Sequence, residues 1–317
     1  MKVLITGING FVGSFLAESL LKDGHEVYGT TQPGTSNECL GDICGDLKLI
    51  ETEMTDPESV QSAVKKSRPE RIFHLAGQSH VPTSWSDPTG TYRVNVEGTM
   101  NLVEIASRMR KVPRILLVSS GDVYGRPTGG KNVFRENSPL SPLNPYAASK
   151  ASAEMFALSM CAASVAPIVI VRPFNHIGPK QSPVFVASDF AMQIAEIEAG
   201  RRKPLIKVGD LSAQKDFTDV RDMVNAYKLG IEKCPPGEIF NICSGKTHSI
   251  SELLDTLLKI SGTNAKIVQE KKRLRATAST DFKADARKFK RITAWKPLIS
   301  FKNTLKDILD YWRSRIN

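Results

Sequence analysis

Apolar residues enter the chain as short continuous runs, separated by stretches in which they recur at helical spacing. Segments 2–6, 47–52, 71–75 and 115–118 are rich in Val, Ile and Leu and bounded by Gly, Pro or polar residues, the pattern of strands buried on both faces, and 26–31 reads as a further strand. Between them, 11–21, 58–66 and 89–110 carry an apolar stripe with helical period, which predicts helices. Asp56-Pro57 caps the second of these, and Pro145 fits the first position of a further helix, where its missing N–H is not needed. Strand and helix alternate through residue 172, which predicts an α/β protein: a parallel sheet covered on both faces. Residues 33–46, polar and glycine-containing, read as a loop. Beyond Arg172 the regularity breaks at Pro173, Pro179 and Pro183 before a helix over 189–199 and a strand over 205–208. Residues 1–172 are therefore expected to form the sheet domain and 173–317 mainly a smaller lobe, with some late segments returning to the sheet.

Composition narrows the class. With 317 residues, 41% hydrophobic and 24% charged, the chain can bury a large core and is not disordered. No run approaches ~18 apolar residues, so no membrane span is expected. A strand beginning at residue 2 leaves no room for a cleaved signal peptide, so a cytoplasmic protein is expected. Five cysteines without a CxxC spacing predict free thiols, and the five histidines lack metal-binding spacings, so no metal site is expected. The net charge of +10 favours anionic ligands. Its densest part, 271–291, holds nine Lys or Arg but only Phe282 and Phe289 as aromatics, which does not make a nucleic-acid platform.

Three stretches carry chemistry. In Asn144-Pro145-Tyr146-Ala147-Ala148-Ser149-Lys150 a phenol and an ammonium stand four residues apart, on one helix face. A tyrosine needs its ordinary pKa of ~10 lowered to exchange protons readily at neutral pH, and the Lys150 charge is expected to supply part of that shift. Directly after the first strand, Gly7-Ile8-Asn9-Gly10-Phe11-Val12-Gly13 leads into a helix. There Gly7 permits a tight turn, Gly10 lets backbone approach a pyrophosphate, and Gly13 lets helix and sheet pack closely. Finally, Ser119-Ser120-Gly121-Asp122 places a hydroxyl at the carboxyl end of the 115–118 strand, where doubly wound sheets bind ligands.

Together with His74-Leu75-Ala76-Gly77, Asn95-Val96-x-Gly98-Thr99 and Arg172-Pro173-Phe174-Asn175, these motifs resemble, in order and nearly end to end, the extended short-chain dehydrogenase/reductase family. The resemblance implies a Rossmann-type doubly wound parallel sheet with a smaller C-terminal α/β substrate lobe. It implies a catalytic set in which Ser120 holds the substrate oxygen, Tyr146 passes the proton, and Lys150 tunes Tyr146 and grips the nicotinamide ribose. NADP or NAD would lie along Gly7, Gly10, Phe11, Val12, Gly13, Gln32, Glu53, Met54, Leu75, Ala76, Gly77, Tyr146, Lys150 and Pro173. At the end of the second strand, Thr31-Gln32-Pro33 supplies neither an acid for the ribose hydroxyls nor an arginine for a 2′-phosphate, which leaves the two cofactors open.

Within the family, Arg172–Pro173 and the residues to Pro179, Asp189-Phe190-Ala191, Ile206-Lys207-Val208 and Asp216-Phe217-Thr218-Asp219 resemble the reductases that convert GDP-4-keto-6-deoxy-mannose to GDP-rhamnose. That likeness implies substrate contacts from Ser79, Ser120, Gly121, Asp122, Asn175, Lys207, Lys215 and Arg275, with His80 beside Ser79, and a homodimer. A 4,6-dehydratase would need an Asp-Glu pair after the hydroxyl residue to eliminate water. Gly121-Asp122 stands there instead, so dehydration is disfavoured. A redox-neutral 4-epimerase on the same scaffold is the other alternative, and a non-catalytic dinucleotide sensor a remote one.

Overall fold

A computed structural model describes residues 1–126, 133–270 and 283–316. In chain order, β1 (Lys2–Thr6), α1 (Phe11–Lys22), β2 (Glu26–Thr31), β3 (Lys48–Glu51), α2 (Pro57–Ser67), β4 (Arg71–His74), α3 (Val81–Ser86), α4 (Pro88–Tyr92), α5 (Gly98–Ser107) and β5 (Arg114–Val118) are followed by β6 (Val133–Phe134), α6 (Pro145–Ala162), β7 (Ile168–Pro173) and β8 (His176–Ile177). Then come α7 (Val186–Glu198), β9 (Leu205–Val208), β10 (Gln214–Asp216), β11 (Thr218–Asp219), α8 (Val220–Lys233), β12 (Ile239–Ile242), β13 (Thr247–Ser249), α9 (Ile250–Ser261), β14 (Lys266–Gln269), β15 (Lys283–Ala284), α10 (Arg287–Thr293) and α11 (Phe301–Ile316).

Seven strands form one sheet in the order β12-β7-β5-β4-β1-β2-β3, every pair parallel. The buried runs foreseen in the sequence fill its two faces. Val3, Ile5, Val169 and Val171 pack with α1 and α8 on one face, while Leu4, Ile115, Ile168 and Ile170 pack with α2, α5 and α6 on the other. Strand order reverses between β1 and β4, and ligands of such sheets bind where it does. Beyond residue 172 the chain serves both bodies: α8 and β12 join the sheet layers, whereas α7, β9, α9 and α11 enclose a separate apolar core around Phe190, Ile194, Leu253, Leu257 and Ile308.

Several elements differ from the sequence expectation. The loop over 33–46 contains 3₁₀ turns at Glu38–Asp46, broken at Gly41, where φ is +50°. The predicted 89–110 helix begins at Pro88, passes through a π-helical turn at Arg93–Glu97 and ends at Ser107. That turn aims Asn95 at the chain leaving β4: its amide accepts from the Gln78 N–H at 2.8 Å and donates to the Gln78 carbonyl at 3.0 Å. A tertiary contact thus bends a helix that local periodicity alone reads as straight. All five cysteines are free thiols. Among the described residues, no helix is long and apolar enough to cross a membrane, and no cluster of His, Cys, Asp or Glu is placed to hold a metal.

Candidate functional site

The carboxyl ends of β1 and β4 flank the point where the strand order reverses, with those of β5 and β7 next in line on the β4 side. After β1 the chain turns sharply at Gly7, whose φ is +69°, and enters α1 through Gly10, which offers no side-chain cap to the first helical amides. At Gly13 an added Cβ would lie 2.4 Å from the Gly7 carbonyl oxygen and 2.6 Å from that of Ile8, so only glycine lets the helix start this close to the turn. Uncapped amides at a helix start are an anion site. Phe11 and Val12 flank it, half-buried. Asn9 ties the turn to the chain beyond β2 by donating to Thr35 Oγ1 at 2.9 Å and the Ser36 carbonyl at 3.0 Å.

Leu75, Ala76 and Gly77 leave β4 beside this turn; the Leu75 and Ala76 amides donate to Thr6 Oγ1 at 3.2 and 3.1 Å. Below them His74 is buried between two hydroxyls, Thr6 Oγ1 at 2.8 Å and Thr99 Oγ1 at 2.9 Å. Burial first, and the Lys150 charge second, lower its pKa to about 3, so it is a neutral strut. At the end of β2 the exposed Gln32 donates to the Glu53 carboxylate at 3.5 Å. The Met54 side chain turns away into the core between α2 and α5.

On the other flank, Ser120 caps a single 3₁₀ turn after β5, its Oγ accepting from the Asp122 N–H at 3.1 Å. Gly121 lies against the Phe174 ring, and its own position is buried. Helix α6 starts as Pro145 foretold: the Asn144 side chain accepts from the Ala147 N–H at 2.8 Å, which sets Tyr146 in the first turn. Lys150 follows one turn later, with Nζ 3.6 Å from where a Cβ on Gly77 would be.

The electrostatics differ from the expectation in direction: the Tyr146 pKa is raised, not lowered, and Lys150 Nζ donates to the Val118 carbonyl at 2.7 Å. Burial pushes the Tyr146 pKa up, the Asp122 carboxylate adds to that, and hydrogen bonding with Ser120 pulls it back. Burial also pulls Lys150 down to about 8, against the upward effect of Glu154. Tyr146 is therefore an acid that keeps its proton at neutral pH, beside a lysine that loses its own only above about pH 8.

The remaining predicted positions are spread over several elements. Pro173 ends β7, and Asn175, exposed, follows it with its carbonyl accepting from the Thr218 N–H at 2.9 Å. Ser79 is exposed on the loop after β4. Lys207, on β9, pairs with Glu270 at 2.9 Å, and Lys215, half-buried on β10, stands opposite His248 of β13. Arg275 lies outside the described residues. Sequence reasoning missed Glu154 and its partners Ser119 and Arg172, all buried directly beneath Ser120 and Lys150. The signal available was the repeat Tyr146, Lys150, Glu154 at helical spacing.

A glycine-turned β1–α1 junction facing a Ser-Tyr-Lys group across the sheet's reversal point defines a Rossmann-type scaffold of the short-chain dehydrogenase/reductase kind. Known proteins sharpen this. The chain belongs to the GDP-mannose 4,6 dehydratase family, which it matches over residues 4–308. It is 33% identical, over 99% of its own length and 98% of the relative's, to GDP-6-deoxy-D-mannose reductase of Pseudomonas aeruginosa. The structure of RMD from Pseudomonas aeruginosa complexed with NADPH superposes with a TM-score of 0.86 at 31% identity, covering 99% of this chain and all of that one. UDP-glucose 4-epimerase of Thermotoga maritima, solved with UDP-glucose, superposes with a TM-score of 0.90 at 26% identity over the full length of both chains.

Proposed function

We propose that this protein reduces the 4-keto group of a nucleotide-linked 6-deoxyhexose with NADPH or NADH, the substrate being GDP-4-keto-6-deoxy-D-mannose and the product GDP-D-rhamnose. The observation that carries the reading is that α6 sets Tyr146 in its first turn and Lys150 one turn later, against the end of β5 whose following turn carries Ser120. The Gly7–Gly13 cradle fits a dinucleotide pyrophosphate, because its first helical amides lack a side-chain cap and no Cβ stands between helix and turn. A reduced nicotinamide bound there supplies the hydride for C4.

Each side chain then has a distinct task. Ser120 orients the C4 carbonyl oxygen by hydrogen bonding. Tyr146, kept protonated by burial and by Asp122, delivers the proton that the oxygen needs as negative charge develops on it. Lys150 holds the end of β5 through Val118 and keeps a positive charge next to the phenolate left after transfer. Reduction needs no further acid or base, whereas elimination of water needs a second pair that Gly121-Asp122 does not supply. In this reading residues 1–172 hold the dinucleotide, while Asn175, Ser79, Lys215 and Arg275 in and around the 173–317 lobe hold the sugar nucleotide. The enzyme works in the cytoplasm as a homodimer, a state supported by the exposed Tyr92 and Met155 on neighbouring helices and checked by sedimentation.

The decisive assay incubates the protein with GDP-4-keto-6-deoxy-D-mannose and either reduced nicotinamide. Stoichiometric loss of the reduced-nicotinamide absorbance with formation of a GDP-6-deoxyhexose is expected, and no loss with either cofactor rejects the reading. GDP-mannose alone separates the alternatives: a 4,6-dehydratase converts it without added reductant, and this protein is expected not to.

A further inference from the structure

Three successive turns of α6 grip three consecutive residues at the end of β5. Tyr146, Lys150 and Glu154 lie four residues apart on one helix face. Tyr146 opens the helix beside the turn that carries Ser120, Lys150 Nζ donates to the Val118 carbonyl at 2.7 Å, and Ser119 Oγ donates to the Glu154 carboxylate. The lowest rung is anchored from behind. Arg172 of β7 donates to both Glu154 oxygens, from Nε at 3.0 and 3.1 Å and from Nη2 at 2.6 Å, with both side chains almost wholly buried. Its Nη1 donates to the Tyr124 hydroxyl at 2.8 Å and the Glu136 carbonyl at 3.2 Å, and Tyr124 in turn donates to Asn241 of β12 at 2.7 Å.

A buried ion pair is a weak source of stability compared with apolar packing, and its best-attested use is to fix one arrangement over its neighbours. Here the arrangement it fixes contains Ser120, Tyr146 and Lys150. We propose that Glu154 and Arg172 are positioning residues: the pair locks the register of the β5 end against α6 and so sets both the separation of the Ser120 and Tyr146 hydroxyls and the seat of Lys150. Glu154 also bears on Lys150 as a charge. Lys150 faces Glu154 and Tyr146 on its own helix and His74 from β4, which is neutral; Asp122, in the turn after β5, acts on Tyr146. Glu154 is the group that opposes the downward shift of Lys150.

The test uses a variant that removes both charges together, Glu154→Gln with Arg172→Met, and a milder one, Ser119→Ala, which cuts a single rung and leaves the ion pair whole. The assay rests on the reductase reading above. The double variant is expected to fold and bind cofactor as the wild type does, while kcat falls roughly 10- to 100-fold with KM unchanged. Wild-type kcat in the double variant would overturn the proposal, because a merely structural pair that is replaced without loss of fold leaves the rate intact. Should the double variant not fold, Ser119→Ala decides: a several-fold loss of kcat at constant KM supports the clamp, and wild-type kcat rejects it. If the wild type itself does not turn over the ketosugar, the reductase reading fails and the clamp is read from amide hydrogen exchange over residues 119–124. Exchange faster by about tenfold in Ser119→Ala supports it, and unchanged exchange rejects it.

Discussion

The end of the sheet and the smaller lobe solve the problem of holding charge in opposite ways. At the sheet end, Glu154 and Arg172 are buried and bonded to each other, and Lys150 is tied to a strand carbonyl, so each charged group has one geometry. In the lobe, Lys207–Glu270, Arg202–Glu196 and Arg313–Glu198 are ion pairs that keep contact with solvent. Such exposed pairs contribute little to stability, about 0–1 kcal/mol each. Rigid placement is what the proposed proton transfer needs, and the buried, bonded charges of the sheet end supply it.

Substitutions separate the two regions most sharply at the sheet end. Ser120→Ala removes the hydroxyl that orients the carbonyl oxygen, and kcat is expected to fall roughly 10²–10³-fold in steady-state assays with cofactor affinity unchanged. Gly13→Ala forces a Cβ to within 2.4 Å of a carbonyl oxygen. Cofactor titration by fluorescence should show binding weakened by about 10–100-fold, corresponding to the usual cost of overpacking. The wild-type rate should fall with rising pH above about 8, as Lys150 loses its proton, and a profile flat to pH 10 would contradict its assigned charge.

Stability gives a subtler contrast. His74 has a folded-state pKa of about 3, below its ordinary value of 6.5. The unfolded chain therefore takes up that proton first, so the contribution of His74 is fully present above pH 6.5 and is lost as pH falls toward 3. Unfolding free energies from denaturant titrations between pH 6 and pH 4 should decline by roughly 1.4 kcal/mol per pH unit through this residue, and His74→Gln should flatten the decline. The smallest effect belongs to the lobe. Lys215→Ala should raise KM for the sugar nucleotide several-fold while leaving kcat and the pH profile unchanged, the mark of binding lost equally from ground and transition states.

What could be read from the sequence follows the same division. The strands, α1, α6 and the Ser120, Tyr146 and Lys150 positions were legible because each depends on residues within one or two turns: Gly7 to Gly13 shape their own junction, and Pro145 with Asn144 starts its own helix. The π-helical turn at Arg93–Glu97 was not, because Asn95 is drawn toward Gln78 by a contact between distant segments. Nor was the partner of Lys207, since Glu270 reaches it only when β14 pairs with β9. Glu154 sat at visible helical spacing, yet its meaning required β7 to bring Arg172 beneath the helix. The direction of the phenol's shift escaped as well. Spacing shows that Lys150 shares a face with Tyr146, but not that Lys150 Nζ donates to the Val118 carbonyl or that burial, with Asp122 second, raises the phenol's pKa.

Central to the proposed reduction is Tyr146 as the proton donor to a carbonyl oxygen held by Ser120. Single-turnover reduction of GDP-4-keto-6-deoxy-D-mannose by Tyr146→Phe, preloaded with reduced cofactor, tests it directly. Loss of nicotinamide oxidation by roughly 10²–10⁴-fold is expected, with cofactor affinity equal to that of the wild type. Oxidation at the wild-type rate in the Phe variant would contradict the assignment and require another donor in the cleft.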